Sequence, residues 1–205
     1  MNIFQKGNFE PLSNEFKRLG FLALQQLSKF QKKFNISDTD TTINSIRDTI
    51  VSSYLGFDLI NKNKHGFDAK NSRTGEFLEV KQCSSSAKRW GGTWNDTNFE
   101  KAKAFSNAKL FTAVAVWSGA SDLQFIVFGQ NKKLGLYLLD RVKNRKSGSR
   151  STQTISIEKL IEWGFIVIVP PDKKVNAVLK QLAVYKKGVS KYLNSKNIKK
   201  VNNFR

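Results

Sequence analysis

The chain has 205 residues, 40% apolar and 25% charged, and its 35 Lys+Arg against 16 Asp+Glu leave a formal net charge of +19. A domain of this length buries a core without disulfide or zinc staples, and 16 Phe with 4 Trp argue against wholesale disorder. One cysteine, Cys83, and one histidine, His65, exclude an intramolecular disulfide, a Cys-rich zinc site and a multi-His metal site within the chain. A metal would have to be held mainly by oxygen, as magnesium, manganese and calcium are.

Phe16, Leu19, Leu22, Ala23, Leu27 and Phe30 recur at three- and four-residue steps and predict one amphipathic helix. The Ser/Asp/Thr run at 37–42 offers N-caps for a second helix. Ile43, Ile46, Ile50 and Tyr54 share one face of it, and Gly56 ends it. This helical part covers about 1–56. A short apolar stretch, 57–60, then precedes a strand–turn–strand pattern over 65–70, 71–75 and 76–82.

The stretch 98–107 predicts a helix crossing to a strand at 109–117, apolar enough to be buried on both faces. A turn at 118–122 and another strand at 123–129 follow. Residues 134–139 fit helix or strand equally. The stretch 143–151 is a basic loop without an acidic residue. A short helix at 157–163 and a strand at 165–169, stopped by Pro170-Pro171, come next. Residues 175–193 are helix-patterned. The tail, about 172–205, carries ten basic residues after Asp172 and no acidic one, which predicts a basic helix with a frayed end.

There is no internal repeat and no apolar run of the roughly 18 residues that span a bilayer. Residues 1–18 mix charges with single apolar residues and lack the apolar region of a signal peptide. The expectation is a single cytoplasmic domain over 1–205. A charge of +19 points to a polyanionic partner, nucleic acid first. A solvated basic surface or an anionic lipid surface is the alternative.

The chemistry-bearing stretch is Gly66-Phe67-Asp68-Ala69-Lys70 followed by Glu76-Phe77-Leu78-Glu79-Val80-Lys81-Gln82. On a strand, Glu79 and Lys81 point to one side and Leu78 and Val80 to the other. A hairpin of this size sets the Asp68 carboxylate beside Glu79. Two carboxylates and an amine at one point are the parts that metal-assisted phosphodiester hydrolysis needs. The structural alternative is an exposed β-hairpin whose Asp68, Glu79 and Lys81 form ordinary cross-strand ion pairs.

From about residue 47 to 129, this pattern resembles the PD-(D/E)XK nuclease superfamily, which includes most type II restriction endonucleases. The resemblance implies an α/β (α+β) fold, a restriction-endonuclease-like mixed central sheet flanked by helices. It implies Asp68 and Glu79 as ligands of Mg2+, for which Mn2+ can substitute, and Lys81 as the residue that orients the attacking water. The additional acidic residue that the family often takes from the preceding helix would be Asp48, or else Asp58. It further implies a homodimer acting on double-stranded DNA, with a cognate DNA methyltransferase as genetic partner. Junction resolvases, repair nucleases and phage nucleases share the superfamily. Phe67 stands where the family often has Pro, a departure from the pattern.

Lys88, Arg89 and Asn95, in a stretch rich in Trp and Gly, suit either a loop that contacts DNA or a glycine turn pinned by buried tryptophans. Arg141, Lys143, Arg145, Lys146 and Arg150 suit a flexible loop that orders on a duplex. His65 reads as a turn residue or as an acid–base group near Asp68. Cys83 is expected to be buried. The triple serine at 84–86 has no partner histidine and reads as a loop. Trp163 and Phe165 are expected in the core.

Overall fold

The computed structural model describes residues 13–34, 41–59, 67–145, 151–185, 189–194 and 196–201. The cap residues at 37–40, His65, Lys146 and Arg150 lie outside the described residues, as do the side chains of Phe30 and Ile43. The first half of the chain runs α1 (Asn14–Phe34), α2 (Thr41–Tyr54), β1 (Asp58–Leu59), β2 (Ala69–Lys70), β3 (Phe77–Ser84), β4 (Gly91–Thr97) and α3 (Phe99–Phe105). The second half runs β5 (Leu110–Ser118), β6 (Asp122–Gln130), α4 (Lys132–Lys143), β7 (Ser151–Ser156), α5 (Ile157–Glu162), β8 (Ile166–Val169), α6 (Val175–Tyr185) and β9 (Ile198–Lys200).

The architecture is mixed α/β. Seven strands form a central sheet in the order β1-β2-β3-β5-β6-β8-β9, and β4 pairs with β7 in a separate antiparallel ribbon. The β3–β5 and β8–β9 pairs are parallel and the other neighbours in the large sheet are antiparallel. Helix α3 makes the crossover between the parallel strands β3 and β5, as such a pair requires. Its start is capped by Asn98, whose side chain accepts the Lys101 amide at 2.8 Å.

Side-chain alternation divides the core into two layers. Leu78, Val80, Ala113, Ala115, Trp117, Ile126 and Ile168 meet α1 and α2 through Leu24, Ile50 and Val51. Val114, Val116, Phe125, Val127, Val167 and Val169 face α3 to α6 and the β4–β7 ribbon on the other side. Arg47 ties α2 to the β5–β6 turn, donating to the carbonyls of Ala120 at 2.9 Å and of Gly119. Its guanidinium lies 5.0 Å from the centre of the Trp117 ring. Gly56, at φ +77°, closes α2 as expected, and the Phe57 amide donates back to the Ser52 carbonyl at 2.9 Å.

Four expectations are corrected. Helix α1 buries Leu24 and Ser28 and half-buries Phe21 and Leu27, whereas Phe16, Leu19 and Leu22 of the expected stripe stay 44–49% exposed. It meets α2 at Gly20 among other positions, where an added Cβ would sit 3.2 Å from Ile46. A contact made at the smallest residue does not stand out in a count of apolar residues. The segment after Lys88 and Arg89 is the strand β4, neither a loop nor a turn. Its glycines permit it, since a Cβ on Gly91 would meet the Ile155 carbonyl oxygen at 2.2 Å. Of the stretch expected to be helical to 193, Val175–Tyr185 is helix α6, residues 186–188 lie outside the described residues, and Val189–Tyr192 form a 3-10 turn rather than more α-helix. The basic tail supplies an edge strand, β9, whose exposed Lys199 and Lys200 discourage further pairing. Residues 134–139, open between two states, are helical within α4. Cys83 is only half-buried.

The contact between α3 and α4 depends on Gly135, where a Cβ would lie 2.4 Å from the backbone of Ser106. In an open helical position, Gly→Ala gains roughly 1 kcal/mol. Here overpacking against fixed backbone decides the sign. Gly135→Ala is expected to lose about 2 kcal/mol, measured as a lower urea midpoint with an unchanged m-value.

Candidate active site

Strand β3 carries two of the three central groups, and the β2–β3 hairpin delivers the third. The Asp68 amide donates to the Leu78 carbonyl at 2.9 Å, and the Val80 amide donates to Asp68 Oδ2 at 2.7 Å. The Asp68 carboxylate is therefore held against β3 by backbone. Phe67, the residue before Asp68, anchors this end of the hairpin, with its ring buried 5.9 Å from Phe77 and 5.8 Å from Phe105. An aromatic anchor thus occupies the position where the resembling family often has Pro. The turn is closed by Asn71, whose side chain accepts the amides of Arg73 and Thr74 at 3.0 Å.

Glu79 and Lys81 point to the same side of β3, and Lys81 Nζ lies 2.5 Å from Glu79 Oε1. Their side chains keep only 10% and 25% of their surface exposed, so the exposed-hairpin alternative does not describe them. Burial pushes the Glu79 carboxyl above the usual carboxylate range; Lys81 opposes that shift and Asp68 adds to it. Burial alone would lower Lys81, but the Glu79 carboxylate, with Asp68 and Asp48 behind it, raises it above the ordinary lysine value. Lys81 is therefore an ammonium, set beside Glu79 and near Asp68 in a place that resists charge.

Three further residues complete the surroundings, none of them singled out in the sequence. Thr112 is the register partner of Glu79 on β5, and its buried hydroxyl has no hydrogen-bond partner among the described residues. Lys101 on α3 lowers the Glu79 pKa by its charge and donates to the Asn95 carbonyl at 2.7 Å. Gly92 on β4 lies over the Lys81 stem, where a Cβ would meet Lys81 Cγ at 2.9 Å. Only the parallel β3–β5 register and the crossing of α3 bring Thr112 and Lys101 here. Spacing in the sequence carries no signal for that.

Asp48 has a different neighbour. Gln82 Nε2 donates to Asp48 Oδ1 at 2.5 Å, and Gln82 Oε1 accepts from Trp117 Nε1 at 2.5 Å. Gln82 alternates to the opposite side of β3 from Glu79 and Lys81. Asp58 faces Lys17 of α1 at 3.9 Å. Among the described residues, no three His, Cys, Asp or Glu groups gather in a way that could hold a metal ion. The two carboxylates that do come together, Asp68 and Glu79, are hard oxygen donors of the kind Mg2+ and Mn2+ take, with the unpartnered Thr112 hydroxyl beside Glu79.

The basic residues divide likewise. Lys88, Arg89 and Arg141 line one cavity of about 850 Å3, together with Lys159 and the half-buried Trp163. Phe165 is in the core as expected. Asn95 is exposed on β4, and Lys143 and Arg145 are exposed at the end of α4. No helix of the described residues is long and apolar enough to cross a membrane. No protein-family model matches the chain, and no curated protein matches it.

The Glu79–Lys81 pair yields a prediction in metal-free buffer. Lys81→Met leaves the Glu79 carboxylate buried without its counter-charge, at a cost of about 2–3 kcal/mol at pH 8, reduced by the partial exposure of the pair. Glu79 then rises further, while its unfolded-state value stays ordinary. The folded state binds the extra proton, so the deficit shrinks as pH falls through the raised Glu79 pKa. Thermal melts in EDTA from pH 8 to pH 5 should show that convergence, and Glu79→Gln added to Lys81→Met should recover most of the loss at pH 8.

Proposed function

We propose that the chain is a divalent-metal-dependent endonuclease that hydrolyses phosphodiester bonds in double-stranded DNA, most plausibly as a type II restriction enzyme. The observation that carries this reading is the buried meeting of Asp68, Glu79 and Lys81 on two paired strands of a strongly basic protein. A purely structural ion pair does not call for a second carboxylate pressed against the first. Burial and the nearby charge of Asp68 disfavour the ionised Glu79 carboxyl, and a cation bound beside it would favour it. Asp68 and Glu79 would hold Mg2+, or Mn2+ in its place.

When bound, the ion supplies positive charge to the scissile phosphate and acidifies a coordinated water. Lys81 brings an ammonium with three donors, one directed to Glu79 Oε1, the others free to orient a water and to offset charge developing on the phosphate. Lys101 adds positive charge from α3. Asp48 acts through its charge on Lys81 and through Gln82. As a restriction enzyme, the protein would work as a homodimer on a palindromic site, with a cognate DNA methyltransferase as its genetic partner.

The test is incubation of the purified protein with unmethylated phage and plasmid DNA and Mg2+, with EDTA and Lys81→Ala as controls. Discrete bands that vanish in both controls are expected, with Lys81→Ala slower by on the order of 10²–10³-fold. A smear with the same dependence keeps the nuclease and removes the restriction assignment, leaving resolvase, repair or phage nuclease. Intact DNA with a salt-sensitive mobility shift replaces the enzyme by a non-catalytic nucleic-acid-binding protein.

A further inference from the structure

The cavity of about 850 Å3 has a lining unlike a plain phosphate surface. Two stretches far apart in the chain, Lys88-Arg89 before β4 and Arg141 on α4, meet there with Lys159 of α5. No carboxylate among the described residues lines it. Among the described residues, Lys88, Arg89 and Arg141 have no acidic partner, and Lys159 alone is paired, with Glu162 at 3.1 Å. Between these cations stand two aromatic rings, Tyr137 and Trp163, with centroids 5.4 Å apart and planes inclined by 51°. The Arg141 guanidinium lies 5.0 Å from the Tyr137 ring centre and the Lys159 ammonium 5.6 Å from that of Trp163.

Unpaired cations call for phosphate, and half-buried rings in the same concavity call for a flat π-surface. A paired duplex offers the first and hides the second, because its bases are stacked on one another. A ligand that offers both is a nucleotide whose base is free to stack. We propose that this cavity holds one unstacked nucleotide of a nucleic acid strand, its base on Tyr137 and Trp163 and its flanking phosphates on Lys88, Arg89 and Arg141. The proposal rests on the nucleic-acid part of the reading above but not on its chemistry. It gives that reading a substrate feature: a site with an unpaired, flipped or single-stranded nucleotide.

The experiment compares three labelled probes in EDTA: a single-stranded oligonucleotide, its perfect duplex, and the duplex with one unpaired nucleotide. The wild type is expected to bind the first and third roughly tenfold more tightly than the second, the scale of one stacked base. Tyr137→Leu and Trp163→Leu should erase that preference and leave affinity for the perfect duplex unchanged. Arg89→Ala and Arg141→Ala, both exposed, should weaken all three probes and each lower the salt slope by about one. If the aromatic variants fail to fold, the wild-type comparison decides alone, and equal affinity for the three probes overturns the proposal. Folded aromatic variants that retain the preference overturn it too. So does a free mononucleotide that competes as well as the oligonucleotide on a molar basis, since that assigns the cavity to a free ligand. Cleavage plays no part in EDTA, so a protein that never cuts DNA yet keeps the preference refutes the nuclease and leaves this proposal standing.

Discussion

The burial of the Glu79 carboxylate beside Lys81 is the constraint around which the rest of the structure is arranged. Withdrawing an ion from water costs several kcal/mol even after the surroundings relax. A 2.5 Å contact with an ammonium offsets part of that cost, yet burial and the nearby Asp68 still leave Glu79 above its ordinary pKa. A chain selected for stability alone would fill this position with an apolar residue. Asp68 cannot turn away to relieve the crowding, because the Val80 amide holds its carboxylate and the Phe67 ring is locked in the core. The hairpin itself therefore fixes Asp68 near Glu79.

A single strand has to meet the demands of both faces at once. Leu78 and Val80 serve the layer under α1 and α2, while Glu79 and Lys81 serve the side of α3 and β4. A one-residue slip would exchange the two sets and bury the charges against apolar helices. The register is held over eight consecutive positions by the parallel pairing with β5. That pairing also sets Thr112 beside Glu79. Register therefore determines both the core and the charged cluster, and neither can be altered without the other.

Much of this was legible in the order of residues. The β2–β3 hairpin, the apolar β5 and the crossover helix α3 are readable from alternation, turn chemistry and their order along the chain. The side on which Glu79 and Lys81 lie follows from strand geometry alone. Other features were not legible because their signals are tertiary. Helix α1 shows an apolar stripe at helical spacing, yet it buries Leu24 and Ser28 and leaves Phe16, Leu19 and Leu22 exposed, a choice made by the elements it packs against. Strand β4, Gly-Gly-Thr-Trp-Asn-Asp-Thr, has poor intrinsic strand propensity and exists because β7 pairs with it and its glycines admit close backbone. Strand β9 looks like a frayed basic end until the edge of β8 gives it a partner. Asp48 has the residue type expected of a third carboxylate, but Gln82 engages it from the other side of β3.

Net charge has the same limitation. A formal +19 names a class of partner without a place for it, and many of the lysines sit on convex or edge surfaces such as β9, where water and salt screen them. A concave wall concentrates the field of the charges that line it. On this chain the cavity of Lys88, Arg89 and Arg141 does so, three cations without an acidic partner among the described residues. Lys88 and Arg89 lead directly into β4, and Gly92, a few residues on, presses its backbone onto the stem of Lys81. Two cations of the cavity and the backbone beside Lys81 thus belong to one short stretch of chain, in which a side chain at residue 92 would not fit.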